Sequence, residues 1–337
     1  MTLPNPQTQF LKSIENFLPR NISLVNELSD SLDISTDSAY RRIRGETTLT
    51  FDEVILLCQK FKLSFDEFIG HKHQQQVSFS YQSFSDNIEF FKEYFINLHN
   101  DIRIIRQSNV ENKHVLFAGQ GIPIFHYLKF PGLTAFKMFY WMRSIMNVEY
   151  MQQHTFSEEI IPEELITLGH QIFEQYVHLP STEIWTDTTV LGTLHQIQFY
   201  WDSGAFASAD VAIRICEEVR ALLQYVQSAA SSTKKQDDYE QPTQYGAELN
   251  LYYSEIEFEN NCILVDFGEH RRVYLGQLSF GTLVTENDQY YHVTSDWLQN
   301  ILRKSTLISG ISETMRYQFF KRSIRHLDRL IEKIKND

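Results

Sequence analysis

The sequence predicts a chain of two domains: a small all-α N-terminal domain of five helices, and a larger, mainly helical α+β domain with a small antiparallel sheet. Three observations predict this class. The length of 337 residues exceeds what one compact core usually holds. Apolar residues of the first seventy positions recur at helical spacing. Short segments after residue 246 instead alternate apolar and polar residues with the period of a strand.

Composition excludes several classes of protein. Hydrophobic residues make up 42% of the chain and charged residues 22%, so it can bury a core. No apolar run approaches the roughly 20 residues that span a bilayer, and the first residues lack the pattern of a secretion signal. The three cysteines lie far apart, which argues against a disulfide framework and a zinc site. We therefore expect a cytoplasmic protein without a membrane segment, a metal or a cofactor.

The net charge of −13 is unevenly distributed along the chain. Residues 1–72 contain eight Lys or Arg and ten Asp or Glu, and the rest contains 22 basic and 33 acidic residues. The acidity therefore belongs mainly to the larger domain, where it favours solubility and repels nucleic acid. A locally basic edge on the smaller domain remains compatible with DNA binding.

The N-terminal domain, residues 1–70, is predicted to be helical throughout. Ser23 is placed as the N-cap of the second helix, whose leucines recur every four residues on one face. Asp33 interrupts the pattern before the third helix, and Gly45 is placed to end that helix. The predicted helices cover residues 6–19, 24–32, 36–44, 51–61 and 64–70.

Three segments of this domain carry a distinctive pattern: LSDSLDIS at 28–35, RIRGE at 42–46 and LCQKFKLSFDEF at 57–68. Together they resemble the Cro and phage-repressor (XRE-like) helix-turn-helix family over residues 24–68. Asp33 stands where the family often has glycine, and Ser29 where it usually has alanine. Neither residue breaks the motif, since Asp reaches the left-handed turn conformation and Ser is small enough for the helix crossing.

The resemblance implies a DNA-binding protein whose third helix enters the major groove. Thr36, Asp37 and Arg41 then face base edges, where Arg grips guanine through two hydrogen bonds and Asp accepts from cytosine. Ser38 and Tyr40 lie beside them. Phosphate contacts, which set the position of the protein on DNA, are expected from Asn21, Ser23, Arg42, Arg44 and Thr47.

Two other interpretations of this domain stay open. The basic residues Arg41, Arg42 and Arg44 can form a solvated helix face with no partner. The motif can also serve a protein partner, as in an adaptor or antitoxin-like protein that has no DNA affinity.

The larger domain follows a polar linker, residues 71–76. Residues 77–230 are predicted to form a mainly helical effector or oligomerisation region, and residues 247–337 to add the small antiparallel sheet and C-terminal helices, as part of the same domain. Helices are predicted over residues 87–107, 133–145, 162–177, 188–201 and 208–227. Strands are predicted over residues 77–81, 115–118, 249–253, 262–267, 273–275 and 282–284.

Two segments of the larger domain bear on ligand binding. The helix predicted over residues 133–145 is apolar on nearly every side, which is typical of deep burial, of a pocket wall or of a dimer contact. Gly119-Gln120-Gly121 lacks the third glycine and the helix of a phosphate-binding loop, and we interpret it as a turn.

Two acid–base pairs are possible in the larger domain: Asp266 with His270, and His292 with Asp296. In a chain with 12 His and 43 acidic residues such neighbours arise by chance, and no hydrolase, kinase or metalloprotease motif accompanies them. We therefore expect that the protein is not an enzyme. An enzyme fused to a DNA-targeting domain is the alternative.

The last predicted helix carries a short heptad seam. Phe320, Ile324, Leu327, Ile331 and Ile334 are spaced 4, 3, 4 and 3 residues apart. Residues 316–337 include seven basic and three acidic side chains. The seam can form a dimer contact, but two heptads are short for a coiled coil, so packing on its own domain is favoured.

The sequence therefore predicts a DNA-binding transcription regulator. Its expected partners are double-stranded DNA, a second copy of the chain in a homodimer, and a small-molecule or protein effector on the larger domain. No membrane partner is expected.

Overall fold

A computed structural model divides the chain into two compact units, Met1–Ser78 and Phe79–Asp337. No helix within the described residues is long and apolar enough to cross a membrane. The structure describes residues 5–18, 22–61, 63, 77–81, 87–108, 110–236, 245–268, 270–277 and 281–337.

The described part of the first unit consists of helices whose apolar faces meet in one core. The helices are α1 (Pro6–Phe17), α2 (Leu24–Leu32), α3 (Thr36–Ile43) and α4 (Phe51–Phe61). Ser23 and Ser35 cap α2 and α3 through their hydroxyls, which accept backbone N–H groups of the first turns. The buried core consists of Phe10, Leu11, Ile14, Leu24, Leu28, Ala39 and Leu57. The helix predicted over residues 64–70 and the linker 71–76 lie outside the described residues.

The second unit is built around a mixed sheet, with nine strands among the described residues. The strands are β1 (Ser80–Tyr81), β2 (His114–Ala118), β3 (Ser181–Trp185), β4 (Lys234–Gln236), β5 (Tyr245–Tyr253), β6 (Cys262–Asp266), β7 (Arg271–Gln277), β8 (Gly281–Thr285) and β9 (Thr306–Leu307). Their spatial order is β1-β8-β7-β6-β2-β3-β5-β4, and β9 pairs with β5. The central strands β2, β3 and β5 are parallel, and the other pairs are antiparallel.

The predicted fold class is wrong, because the sheet is neither small nor purely antiparallel. The molecule is a mixed α/β protein in which strands from residues before 230 and after 246 share one sheet. The parallel registers pair Val115 with Ser181 and Ser181 with Leu249. Such partners are too distant in sequence for a local pattern to report them. β3 was not predicted at all, because it is buried on both faces and therefore has no alternating pattern.

Helices make up most of the remaining second unit. They are α5 (Ile88–Gln107), α6 (Ile124–Tyr127), α7 (Pro131–Tyr140), α8 (Glu149–Gln152), α9 (Glu163–Val177), α10 (Leu191–Asp202), α11 (Ala209–Ser232), α12 (Asp288–Leu302) and α13 (Glu313–Asn336). A π-helical turn, Trp141–Ile145, continues α7. The helices predicted over residues 87–107, 162–177, 188–201 and 208–227 are confirmed as α5, α9, α10 and α11, with shifted ends. α12 lies in the stretch where C-terminal helices were expected, although no bounds were predicted for it.

Helices cover both faces of the sheet. Neighbouring residues of β2 point to opposite faces, so that Val115 belongs to the larger core and Leu116 to a smaller one. The larger core contains side chains of α5, α7, α9, α10, α11 and α13. The smaller core is closed by α12, which packs Tyr291 and Leu298 against the opposite face. The sheet is therefore the middle of three layers.

The apolar seam of α13 packs inside its own unit, against α10 and α11. Phe320, Leu327, Ile331 and Ile334 are all buried there. Basic residues of this helix pair with acids of the same chain, as in Lys333 with Asp202 at 2.5 Å. The structure therefore agrees with the interpretation in which the seam packs on its own domain.

Candidate nucleic-acid interface

The turn between α2 and α3 is held by local hydrogen bonds. Asp33 ends α2 in the left-handed conformation, with φ of 52°, as the sequence predicted. The backbone N–H of Ile34 donates to the carbonyl oxygen of Ser29 at 3.1 Å. The Ser29 hydroxyl donates in return to the carbonyl oxygen of Ile34 at 2.5 Å. These contacts set the direction in which the chain enters α3.

α3 has one buried face and one solvent-exposed face. Ala39 is fully buried against Leu28 and Leu57, and its small side chain lets α3 approach α2 closely. The opposite side presents Thr36, Asp37, Tyr40 and Arg41 to solvent, and Ser38 is half-buried. The residues expected to face bases therefore lie on the exposed side of one short helix.

Arg41 is paired with Asp37 one helical turn earlier, with Nη2 3.1 Å from Oδ2. The two side chains are 57% and 72% exposed. An ion pair as exposed as this contributes only about 0–1 kcal/mol. The guanidinium can therefore exchange Asp37 for a stronger partner at small cost.

Arg42 has a different environment from Arg41, although the two are adjacent in sequence. Its guanidinium lies 2.7 Å from Glu53 of α4, and the side chains are only 12% and 16% exposed. Burial disfavours the ionised carboxyl, but hydrogen bonds from Arg42 and Thr50 outweigh it and lower the pKa of Glu53. Arg42 also donates to the carbonyl oxygen of Ser38 at 3.3 Å. We therefore assign Arg42 to holding α3 against α4, and we leave it out of the proposed phosphate contacts.

Replacing Arg42 by methionine is expected to destabilise the first unit by about 1–3 kcal/mol, because it leaves the Glu53 carboxylate without its partner. Hydrogen exchange of the α3 and α4 amides in the full-length protein measures this effect. The exposed Arg44→Met is the matched control, with an expected change within about 0.5 kcal/mol. Equal protection of the two variants would contradict the structural role of Arg42.

The segment after α3 is fastened to α1 by Gln7. Its amide nitrogen donates to the carbonyl oxygens of Arg42 and Thr47, both at 2.8 Å, and its amide oxygen accepts from the N–H of Leu49 at 2.8 Å. Thr47 is consequently half-buried, with its carbonyl already hydrogen-bonded. Sequence reasoning missed Gln7, because a polar residue on an amphipathic helix has no distinguishing local pattern.

The remaining predicted phosphate contacts differ in exposure. Arg44 is exposed and pairs with Glu46, with Nε 2.9 Å from Oε1. Ser23 is exposed at the N-terminus of α2, and its hydroxyl accepts from the N–H of Asn26 at 3.3 Å. Asn21 lies outside the described residues.

The acid–base pairs considered in the second unit are not brought together. Asp266 accepts from the guanidinium of Arg271 at 3.3 Å, while the ring of His270 stacks on Phe267. His292 lies 3.8 Å from Asp288.

The geometry of the first unit therefore places an exposed, polar α3 next to a fixed turn. An exposed helix with one arginine and adjacent hydrogen-bonding side chains is the kind of element that enters the major groove. Comparison of the chain with models of protein families, with curated proteins and with solved structures finds no match.

Proposed function

We propose that the protein is a sequence-specific DNA-binding regulator whose helix α3 reads the major groove. The observation that carries the proposal is the arrangement of α2, the Asp33 turn and α3, with Ala39 buried and Arg41 exposed on opposite sides of one helix. This arrangement agrees with the resemblance to the Cro and phage-repressor family.

Arg41 and Asp37 are the proposed readers of base edges. Arg41 donates to O6 and N7 of a guanine, and Asp37, released from its ion pair, accepts from the amino group of a cytosine. Thr36 and Tyr40 contribute neighbouring contacts. Since Asp37 repels phosphate, the pair also selects against docking in a wrong position.

Arg44 and the start of α2 are the proposed phosphate contacts. Arg44 is exposed, and its pair with Glu46 is as easily exchanged as that of Arg41. Ser23 lies at the N-terminus of α2, where the helix dipole favours an anion.

The regulator is proposed to act as a homodimer in the cytoplasm. Two copies of α3 then meet half-sites about one turn of DNA apart. Cys58, Cys216 and Cys262 all remain thiols, which fits a reducing compartment. An effector bound to the second unit is proposed to change DNA affinity, and no catalytic step is part of the function.

Selection of bound sequences from a random DNA pool tests this function. The full-length protein is compared with Arg41→Ala and Arg44→Ala. We expect the wild type to enrich a two-fold symmetric motif. Arg41→Ala should cost about 1–3 kcal/mol at that motif and relax the preference for one base. Arg44→Ala should weaken binding to all DNA sequences to a similar extent. It should also reduce the slope of log K against log salt concentration by about one, the value expected for one lost phosphate contact.

Two results would contradict this assignment. Equal losses of Arg41→Ala and Arg44→Ala on random DNA would remove Arg41 as a base reader. No enrichment by the wild type at moderate salt would remove DNA as the ligand.

A second function is favoured by one observation on α4. Phe51 is 71% exposed, and Ile55 is exposed one helical turn later on the same side. An adaptor or antitoxin-like protein would use such an apolar surface to bind a protein. Phe51→Ser discriminates the two functions: a DNA reader keeps its enriched motif, whereas an adaptor loses a co-purifying protein and is insensitive to Arg41→Ala.

A further inference from the structure

A cavity of about 740 Å³ lies within the second unit, at the carboxyl ends of its parallel strands. Gln120 and Gly121 follow β2, Thr188 follows β3, and all three line the cavity. Side chains of α7 and α10 form the other side. The carboxyl ends of parallel strands are the usual place for ligands in α/β sheets, and small-molecule cavities usually measure about 300–1,000 Å³.

Lys137 of α7 brings a buried cation to the wall of this cavity. Lys137 is only 5% exposed. The ammonium donates to Oε1 of Gln196 at 2.7 Å and to Oγ1 of Thr193 at 3.4 Å. It also lies over two aromatic rings, 4.5 Å from the centroid of Tyr127 and 5.7 Å from that of Trp141. An ammonium has three donors, so one hydrogen remains for a ligand.

Lys137 has no carboxylate partner among the described residues: its polar contacts there are an amide, a hydroxyl and two rings. A buried charge without a counter-ion is costly, and burial accordingly lowers the pKa of Lys137 to about 7. Lys235 is equally buried but differs in its surroundings. Its ammonium donates to the carbonyl oxygens of Tyr176 and Leu179, and the cavity does not include it.

We propose that the cavity binds a small organic monocarboxylate with a flat apolar body, whose carboxylate pairs with Lys137. The ligand supplies the counter-ion that the described residues do not provide for this lysine. Gln196 and Thr193 hold the ammonium in place from the side of α10.

The charge balance of the cavity favours a carboxylate over a phosphate. Lys137 is the one Lys or Arg among its lining residues, and Glu259 adds a negative charge at an exposed position. A phosphate carries about two charges and usually requires several donors or an arginine. One ammonium with an adjacent hydroxyl and amide matches a single carboxylate.

The walls favour a flat apolar body for the rest of the ligand. Aromatic side chains line the cavity on several elements: Tyr94, Phe117, Phe125, Tyr127, Trp141 and Tyr274. Such walls contact planar groups over a large area with little loss of side-chain entropy. The π-helical turn that begins at Trp141 lies beside the cavity, and turns of this kind are frequent at functional sites.

This inference does not depend on DNA binding, since every residue in it belongs to the second unit. The experiment is a thermal-shift screen of the full-length protein against aromatic and aliphatic monocarboxylates. Each acid is paired with its uncharged primary amide, and inorganic phosphate is included. Dissociation constants of the binders are then measured for the wild type, for Lys137→Met and for Lys234→Met, an exposed lysine of β4 that serves as the control.

We expect at least one acid to raise Tm while its amide does not. Lys137→Met should raise the dissociation constant of that acid about tenfold or more, and Lys234→Met should leave it unchanged. If Lys137→Met does not fold, the comparison of acid with amide on the wild type decides. The proposal is overturned if no acid raises Tm, if acid and amide bind equally, if Lys137→Met binds the acid as well as the wild type, or if phosphate alone binds.

Discussion

Replacing Glu183 by alanine is expected to lower the free energy of unfolding by about 3–5 kcal/mol, the largest effect of any single substitution considered for this protein. Glu183 lies on β3 at the centre of the sheet and is fully buried. Its carboxylate accepts from Nε2 of His126 at 2.9 Å, from the Tyr176 hydroxyl at 2.5 Å and from Nε1 of Trp185 at 2.9 Å. Alanine leaves the buried donors of His126 and Trp185 without this acceptor, and the Tyr176 hydroxyl keeps only its bond to Ser181 at 3.1 Å.

The neighbours of Glu183 hold its carboxylate in the charged form. Burial alone would raise the pKa of Glu183, but His126 and the hydrogen bond from Tyr176 outweigh burial and lower it. Burial and the neighbouring carboxylate raise the pKa of Tyr176 well above its ordinary value. The phenol therefore stays protonated and remains a donor.

Urea unfolding of the full-length protein, followed by circular dichroism, measures the loss at Glu183. Glu174→Ala on the exposed side of α9 is the control, with an expected change within about 0.5 kcal/mol. Glu183→Gln should fall between the two variants, because its amide keeps one acceptor oxygen. A Glu183→Ala protein as stable as Glu174→Ala would contradict the stabilising role of the cluster.

The second large effect is an increase of stability with pH that depends on Lys137. The folded protein lowers the pKa of this lysine to about 7, whereas an unfolded lysine has a pKa near 10.4. Between these values the unfolded chain binds more protons, so the free energy of unfolding rises with pH. The rise reaches about 1.4 kcal/mol per pH unit, or about 2 kcal/mol between pH 7 and pH 9.

Lys137→Met is expected to lose the part of this increase that Lys137 contributes, because methionine fills a similar volume without a titrating group. Burial also lowers the pKa of Lys235 to about 7, and this lysine is present in the wild type and in every variant compared. Urea unfolding at pH 7, 8 and 9 compares it with the wild type and with Lys234→Met. Parallel curves for the wild type and Lys137→Met would contradict the buried, unpaired state of the lysine. Near pH 7 the methionine variant should be at least as stable as the wild type, since it removes a buried charge.

The other ionisable groups of the cavity do not obscure the contribution of Lys137 to stability between pH 7 and pH 9. Burial raises the pKa of Tyr94 to about 12 and also raises the pKa of Tyr127 and Tyr274, so these phenols do not ionise below pH 9. His195 and Glu259 complete the ionisable residues that line the cavity with Lys137. Both are exposed, and both are present in every variant compared.

A lysine whose charge destabilises the fold suggests selection for binding. If stability alone were at stake, an apolar side chain would serve better at position 137. The two measurements on this residue are therefore complementary. The pH dependence tests whether the buried ammonium lacks a counter-ion, and the ligand screen tests whether a bound carboxylate supplies one.

The helices were predicted well from sequence because their signals are local. Leucines every four residues on α2, the Ser23 cap before it and Gly45 after α3 all act within a few residues of chain. The exposed set on α3 could be identified for the same reason. Once Ala39 is assigned to the core, helical geometry places Arg41 on the other side.

The role of Arg42 could not be predicted, because it depends on a residue of another helix. Arg41 and Arg42 look alike in sequence, yet only one meets Glu53 of α4. The distance between two side chains on different helices is set by how the helices pack, and no pattern within either helix contains it.

The buried strand β3 at the centre of the second unit could not be predicted either, because it also depends on residues distant in the chain. β3 reads Ser-Thr-Glu-Ile-Trp, whose glutamate argues locally against a buried strand. Its burial is made possible by hydrogen bonds from His126, Tyr176 and Trp185, two of which lie on other elements. Lys137 could have been noticed in the sequence, because it is the one charged residue in the otherwise apolar α7. Its lowered pKa could not be predicted, because it depends on the residues that surround it in space.

The sequence by itself determined most of the longer helices, the exposed face of α3 and the acidity of the larger unit, because these follow from the order of neighbouring residues. Only the tertiary structure decided the parallel sheet, the Glu183 cluster and the cavity at Lys137. Each of these joins residues that are distant in the chain, and the free energy of a buried charge depends on its surroundings in space.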